Sequence, residues 1–218
     1  GTTGQRQTTY TYDYRGRRIV TINPQAPHSV TKYDNLGRMT ASGLFSSSSG
    51  LTASTDPTTT TSNRVALSQT FYDERGQVWK SQRHKITQST GADADHLQTL
   101  NWYDPDGRLI KTDGEQLTKT RYDRLGRVIQ SFTLASDNDA ANTYSDVYDS
   151  TNKFASVAGD KVLEERQIGY DGALDEVLVQ GTIERKHDDT STTGPLDTTY
   201  DGGDGLPLKF TAADVKGR

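Results

Sequence analysis

One six-residue frame, Tyr-Asp-x-x-Gly-Arg, constrains the fold of this chain more than any other feature. The Asp carboxylate can hydrogen-bond the backbone of a type I turn, and Gly adopts the positive φ that follows such a turn in a hairpin. Pro105, in the fourth copy, also fixes φ for the second turn position. The frame therefore predicts a β-hairpin corner closed by a glycine bulge. Its five copies begin at Tyr12, Tyr33, Tyr72, Tyr103 and Tyr122, and the third ends in Gln77 instead of Arg.

This corner fixes a register in which each Tyr faces the residue six positions later. Four of the five partners are apolar, as expected for aromatic–aliphatic cross-strand pairs that contribute up to about 1 kcal/mol. The Asp–Arg pair at the corner is expected to be exposed and to contribute roughly 1 kcal/mol or less. The predicted pairs are Tyr12 with Arg18, Tyr33 with Met39, Tyr72 with Val78, Tyr103 with Leu109 and Tyr122 with Val128.

The segments that flank the corners are rich in Thr, Tyr, Val and other residues that favour strands, and no long segment keeps apolar residues at helical spacing. The sequence predicts an all-β fold of consecutive antiparallel hairpins. Residues 1–132 carry the regular copies. Two Ser/Thr-rich inserts, at about 43–64 and 86–96, are too polar to bury surface and are predicted to be mobile loops outside the sheet.

Residues 133–218 carry a decayed form of the repeat that is predicted to continue the same sheet. The copy at Tyr148 has Asn152 in the glycine position, whereas Tyr170 and Tyr200 keep only Tyr-Asp and could be chance matches. Residues 161–186 are predicted to form a hairpin. The last copy, from Ala213, stops at Arg218 without a return strand, so the chain looks like a piece of a longer repeat protein whose 206–218 segment should fray.

Composition excludes several classes of function. The net charge of −4 leaves no basic stripe for nucleic acid, and the absence of Cys excludes disulfides and thiolate metal sites. No apolar run approaches the length of a membrane span. A hydrophobic content of 31% and a mean hydropathy of −0.81 are low for one compact core and suit a thin β-sheet with water on both faces.

The iterated frame in β-rich sequence resembles the YD repeat of Rhs proteins, of the C components of insecticidal toxin complexes and of teneurins. The resemblance implies a strip of hairpins that spirals into a hollow shell, which in bacterial members often encloses a toxin or other effector and in teneurins supports adhesion. Bacterial members end their core with a self-cleavage motif centred on Asp-Pro-x-Gly. The one match here, Asp104 to Gly107, lies inside an ordinary repeat and is interpreted as a turn.

Other candidate site residues have simpler interpretations. The histidines lack metal-ligand spacing and are expected to be solvated. Alternating carboxylates at Asp93, Asp95 and at Asp137, Asp139 resemble calcium loops but lack the Gly and distal Glu. The adjacent pairs Glu164–Glu165 and Asp188–Asp189 would point to opposite faces of a strand, and Trp79 and Trp102 fit packing better than sugar stacking. The four histidines are His28, His84, His96 and His187.

The leading interpretation is a non-catalytic structural segment of a YD-repeat β-shell in a large secreted or surface bacterial protein, which scaffolds or encloses a toxin or effector. The alternative is a cell-surface adhesion or glycan-binding module of the same repeat type. No catalytic, cofactor-binding or metal-binding residue is assigned. The expected partners are the remainder of the parent chain and either an enclosed effector or a surface glycan.

Overall fold

The computed structural model describes residues 6–139, 156–171, 176–186, 189, 192–196 and, for the backbone, 205–212. The chain divides into two compact units, Gly1–Thr99 and Leu100–Arg218. Every regular element in the described residues is a β-strand, so none of them is a helix that could cross a membrane. The predicted all-β class is confirmed.

Strand order in each unit follows the order of the chain, and the paired strands are antiparallel. The first unit holds β1 Thr9–Tyr12, β2 Arg18–Ile22, β3 His28–Tyr33, β4 Met39–Phe45, β5 Arg64–Tyr72, β6 Val78–Ile86 and the start of β7 Asp93–Tyr103. The second holds the end of β7, then β8 Leu109–Asp113, β9 Leu117–Tyr122, β10 Val128–Ser136, β11 Lys161–Tyr170, β12 Val177–Arg185 and β13 Gly205–Ala212.

The corners have the predicted register. Each Tyr faces the residue six positions later, and the pairing shifts by one residue beside it, as a bulge requires. The corner glycines all have positive φ, between 75° and 87°: Gly16, Gly37, Gly76, Gly107 and Gly126. Both the hairpin corners and their register are confirmed.

The hairpin predicted for residues 161–186 is also confirmed. β11 and β12 pair from Glu164–Glu184 to Tyr170–Val177. At its corner, the amide of Asp171 donates to the carbonyl of Glu176, whereas in the regular copies the same bond spans four residues, as from Asp123 to Arg127. The decayed copy therefore keeps the corner with a longer turn.

Apolar side chains form small clusters instead of one large core. In the first unit Val20, Val30 and Phe45 are buried together. In the second unit the corresponding cluster lies on β10 to β12 and the segments beside them. Its members are Phe132, Leu134, Val157, Val162, Ile183 and Leu196. Low overall hydrophobicity is sufficient for a fold of this kind, because each cluster covers only a few strands.

The first insert packs against the sheet instead of lying outside it, which corrects the sequence expectation. Residues 43–45 complete β4, Arg64 opens β5, and the segment between them folds back on the sheet. Leu51 packs against the Val20–Phe45 cluster. The Arg64 side chain is buried and donates to the carbonyls of Pro57 at 2.9 Å, Thr58 at 3.2 Å and Gly91 at 3.0 Å. Composition misled here because most of the segment is anchored through backbone carbonyls, and the apolar contact depends on Leu51 alone among the residues named.

The second insert is a tight turn followed by a strand. Ile86 ends β6, the amide of Thr87 donates to the carbonyl of Ala92 at 2.9 Å, and β7 begins at Asp93. Gly91 has a φ of 67°, and a Cβ there would lie 1.7 Å from the carbonyl oxygen of Thr61. The two inserts are thus packed against each other, and only Gly fits the contact.

Some sequence predictions lie outside the described residues. They concern the copies at Tyr148, Tyr200 and Ala213, and the side chains of His187 and Asp188.

Candidate functional site: the corner ladder and the lysine row

In each regular copy that ends in Arg, the corner aspartate accepts three hydrogen bonds from its turn. In the second copy, Asp34 Oδ1 accepts from the amides of Leu36 and Arg38, both at 2.9 Å, and Oδ2 accepts from Arg38 Nε at 2.6 Å. The same three bonds recur at Asp13, Asp104 and Asp123. The frame keeps Asp and Arg together because one carboxylate ties the turn backbone to the guanidinium.

The corner pairs are more buried than the sequence suggested. The Asp104 side chain is 3% exposed and that of Arg108 is 29% exposed. The other corner pairs are also largely covered, with no side chain above 28% exposure. The expectation of an exposed pair was wrong because it considered one hairpin at a time, whereas the next hairpin covers the arginine.

The arginine of one copy lies over the tyrosine ring of the next, and we call this arrangement the corner ladder. The same tyrosine donates its hydroxyl to the backbone carbonyl of the residue that follows that arginine. Both contacts occur together at four pairs in the described part of the chain. The guanidinium-to-ring distances are 4.7 Å for Arg17–Tyr33, 4.5 Å for Arg38–Tyr72, 5.2 Å for Arg108–Tyr122 and 4.3 Å for Arg127–Tyr170. The hydroxyl acceptors are Arg18 at 3.4 Å, Met39 at 3.0 Å, Leu109 at 2.8 Å and Val128 at 2.9 Å.

Tyr170 is therefore a true member of the repeat and not a chance match. The ring receives Arg127, and the hydroxyl bonds to Val128, as in the regular copies. Sequence reasoning set it aside because Gly and Arg are missing from the corner that follows. The ladder requires only the tyrosine at this position.

Electrostatics at the corners favours ionised aspartates. Burial alone would raise the pKa of Asp34, but the hydrogen bonds from the amide and guanidinium of Arg38, helped by its charge, hold that pKa below the usual range. The pKa of Asp13 is lowered in the same way against burial, and at Asp123 the Arg127 amide is the main cause of a lowered pKa. Burial and the nearby Asp104 carboxylate raise the pKa of Tyr122, so its hydroxyl keeps its proton.

A second feature is a row of buried side chains that crosses the second unit. We call it the lysine row: Trp102, Lys111, Lys119, Phe132, Glu165 and Ile183, each directly opposite the next on β7 to β12. Residues that face each other across strands share one face of the sheet. The side chains of Lys111 and Lys119 are fully buried, at 0% exposure.

Acidic side chains from two following segments neutralise the lysines. Lys111 Nζ lies 2.5 Å from Asp137 and 2.9 Å from Asp139. Lys119 Nζ lies 2.9 Å from the same Asp139 oxygen and 2.6 Å from Asp160. The result is a row of two fully buried ammonium groups bonded to three carboxylates, of which Asp160 is the most buried.

The Glu165 carboxylate is hydrogen-bonded by neutral amide groups instead of by lysine. Its carboxylate accepts hydrogen bonds from the side-chain amides of Gln130 at 3.1 Å and Gln167 at 2.7 Å and from the Leu196 amide at 3.1 Å. Glu164 next to it is exposed, so the two carboxylates point to opposite faces as predicted.

The structure gives Asp137 and Asp139 a role that sequence reasoning missed. Their carboxylates bind lysine ammonium groups and are not arranged as a set of calcium ligands. Lys111 and Lys119 were overlooked because a charged residue on a strand is usually solvated. A partial signal existed, because the register of the predicted corners places Lys111 opposite Trp102 and Lys119 opposite Phe132.

Two of the four histidines are buried instead of solvated. His28 is 7% exposed and accepts a bond from the Asn23 amide at 3.2 Å. The His84 side chain is 6% exposed, with Nδ1 2.6 Å from Asp93 Oδ2. Its ring lies 5.5 Å from that of His96, so the fold brings these two together although the sequence separates them. Within the described part of the chain, no three His, Cys, Asp or Glu side chains are grouped to hold a metal ion.

The remaining candidates agree with their simpler interpretations. Trp102 is 2% exposed and lies under Lys111, and Trp79 packs against Phe71 with ring centres 6.1 Å apart. The amide of Gly107 donates to the carbonyl of Asp104 at 2.9 Å, so the Asp-Pro-x-Gly match is a turn.

Comparison with known proteins gives structural matches alone. No family model and no curated protein sequence matches the chain. Similar solved structures include TcdB2-TccC3-Cdc42, with a TM-score of 0.34 and 13% identity over 85% of this chain. TcdB2-TccC3 without its hypervariable C-terminal region gives 0.33 and 13% over 88%, and the Tc holotoxin pore of Photorhabdus luminescens gives 0.33 and 12% over 85%. The chain spans only 11% to 12% of the length of these proteins.

Proposed function

We propose that this chain is a non-catalytic structural segment of a YD-repeat β-shell in a large secreted or cell-surface bacterial protein that encloses a toxin or effector. The observation that carries the proposal is the corner ladder. Each arginine and tyrosine of the ladder joins one hairpin to the next by the same two contacts. A unit that stabilises only its neighbours suits an array of any length.

The chemistry of the corners supports a structural role over a catalytic one. In the copies that end in Arg, the aspartate binds the turn backbone and the arginine, and the arginine lies over the next tyrosine ring, so both groups support the corner. In this proposal residues 1–132 form the regular part of the strip and residues 133–218 a diverged part. The partners are the remainder of the parent chain and the enclosed effector.

Protease protection of the cargo in the parent protein tests the proposal. Under native conditions the enclosed effector should resist a protease that degrades it in the free state. The double variant Arg38→Ala with Arg108→Ala should open the strip and increase the rate of cleavage, while the exposed control Arg83→Ala should leave it unchanged. Equal cleavage of the effector inside and outside the wild-type parent would refute enclosure.

One observation favours adhesion or glycan binding as a second candidate. Tyr10, Tyr12 and Tyr14 are 46%, 55% and 86% exposed, and exposed aromatic rings can stack on sugars. Arg15 and Arg18 lie over two of these rings, at 5.3 Å from Tyr14 and 5.4 Å from Tyr10. A glycan array separates the candidates: saturable binding that Tyr14→Ala and Tyr12→Ala abolish would support a surface module. If no glycan binds saturably, the structural role remains the proposal.

A further inference from the structure

The charged side chains around Lys119 form a larger group than an ordinary ion pair. Two ammonium groups, Lys111 and Lys119, share three carboxylates, so the described cluster holds one more acid than base. Removing charges from water is expensive, and a buried group often becomes neutral instead. Proton transfer from Lys119 to a bonded carboxylate would leave a neutral amine beside a neutral acid, the two reactants of an amide.

We propose that Lys119 and Asp160 form an intramolecular amide bond, with Asp139 as the group that carries the proton. Lys119 Nζ lies 2.6 Å from Asp160 Oδ2 and 2.9 Å from Asp139 Oδ2. A lysine in a dry site acts as a nucleophile toward carbonyl carbon once it is neutral. The Lys119 and Asp160 side chains are 0% and 1% exposed, so water is kept from both.

The surroundings orient the reacting groups. The carbonyl of Ser156 accepts a hydrogen bond from Lys119 Nζ at 2.7 Å. The amide of Asn138 donates to Asp160 Oδ1 at 2.9 Å, where it would stabilise the negative charge that develops on that oxygen during attack. Phe132, directly opposite Lys119, and the buried Glu165 beyond it complete the dry face. Nucleophile, acid and oxygen-binding donor therefore meet at one point.

The reaction balances without any added reactant. The Nζ lone pair attacks Asp160 Cγ to form the C–N bond. The Asp139 carboxylate removes a proton from the nitrogen and passes it to the Oδ2 oxygen as the C–O bond breaks. An ammonium and a carboxylate thus become one secondary amide and one water molecule, with no change of oxidation state.

Lys119 is the better nucleophile of the two lysines because the carboxyl group that it would attack is less exposed to water. Asp160 is 1% exposed, whereas Asp137, the second acid of Lys111, is 17% exposed. Lys111 Nζ also lies 4.5 Å from the centre of the Trp102 ring, a cation–π contact that occupies this ammonium group.

Intact mass of the denatured 218-residue chain tests the proposal. The expected mass is that of the sequence less one water, and a protease digest should yield a branched peptide that joins Lys119 to Asp160. Lys119→Arg keeps the positive charge, removes the nucleophile and should restore the full mass, as should Asp160→Ala. The control Lys85→Arg, at an exposed position of β6, should retain the loss, and Asp139→Asn should slow it.

A second measurement excludes the other common route to the same mass. Asp-Gly pairs such as Asp106–Gly107 and Asp113–Gly114 can lose water as succinimides, which hydroxylamine cleaves, whereas an amide cross-link survives. A wild-type chain of full mass would show that the cluster is a salt-bridge network only. A loss that hydroxylamine removes, or that Lys119→Arg keeps, would equally overturn the proposal. Because the branched peptide is sought in the wild type, the test does not depend on the variants folding.

Discussion

The corner glycines are the residues whose replacement the backbone tolerates least. Gly126 has a φ of 84°, and a β-branched side chain is strongly disfavoured in that region. We expect Gly126→Val to lower the free energy of unfolding by more than about 1 kcal/mol, and Gly126→Asn to lower it less. Urea denaturation measures both. Leu125→Val, at an exposed neighbour, is the control, and an equal effect from this control would contradict the role of φ.

A second residue-scale prediction concerns acid. The pKa values of Asp13, Asp34 and Asp123 are lowered in the folded state, so the unfolded chain binds protons more readily. Stability from these carboxylates is therefore present above the ordinary Asp pKa of about 4 and is lost as the pH falls through the lower folded-state values. Unfolding by urea should become easier over that range.

Carboxyl NMR checks the cause of this acid sensitivity. The pKa of Asp34 should rise toward its ordinary value in Arg38→Leu and stay unchanged in Arg83→Leu. An Asp34 pKa that does not respond to the loss of Arg38 would refute the assignment.

The ladder is the feature that links elements. Arg38 on the β3–β4 corner covers Tyr72 at the end of β5, and a cation over an aromatic ring contributes about 0.5–1 kcal/mol at partly exposed sites. A double-mutant cycle with Arg38→Ala and Tyr72→Leu should give a coupling energy of that size. Tyr72→Phe is the control, because it keeps the ring and removes the bond to Met39. A coupling energy near zero would show that the two hairpins touch without stabilising each other.

Arg64 is predicted to hold the 46–63 segment on the sheet. Its guanidinium supplies three backbone carbonyls with donors in a buried site, and an unsatisfied buried acceptor costs about 1–3 kcal/mol. Arg64→Met should destabilise the first unit by at least about 2 kcal/mol and create new protease cleavage sites within 46–63. Arg83→Met, at an exposed strand position, should do neither. An unchanged cleavage pattern would mean that Leu51 and its neighbours hold the segment without Arg64.

The hairpins could be predicted from the sequence where the residues of the turn alone determine the structure. Turn chemistry specifies each corner within six residues, so the register inside each of the five hairpins from Tyr12 to Val128 follows from sequence. The packing of the inserts does not follow, because Arg64 binds backbone carbonyls of Pro57, Thr58 and the distant Gly91, and any residue can supply a carbonyl. The lysine row was likewise hidden, since the acids that neutralise Lys111 and Lys119 come from segments beyond β10. Long-range polar contacts leave no local pattern.

For the whole molecule, we predict a gradient of stability along the sheet. Among the described strands, β13 pairs only with β12, whereas β7 and β9 each pair on both sides. A repeat that contacts one neighbour is less stable than a repeat that contacts two. Amides of residues 206–212 should exchange with solvent much faster than those of the hairpins at Tyr103 and Tyr122. Equal protection would show that the end of the sheet is as stable as its middle.

The sequential strand order also has a consequence for synthesis. Each strand pairs with the strand just before it in the chain, so every hairpin closes a short loop and none waits for a partner made much later. As a nascent chain with this topology leaves the ribosome, each new strand can pair with the strand that formed just before it. Unravelling from one end can release strands singly in the reverse order, because no connection threads through another.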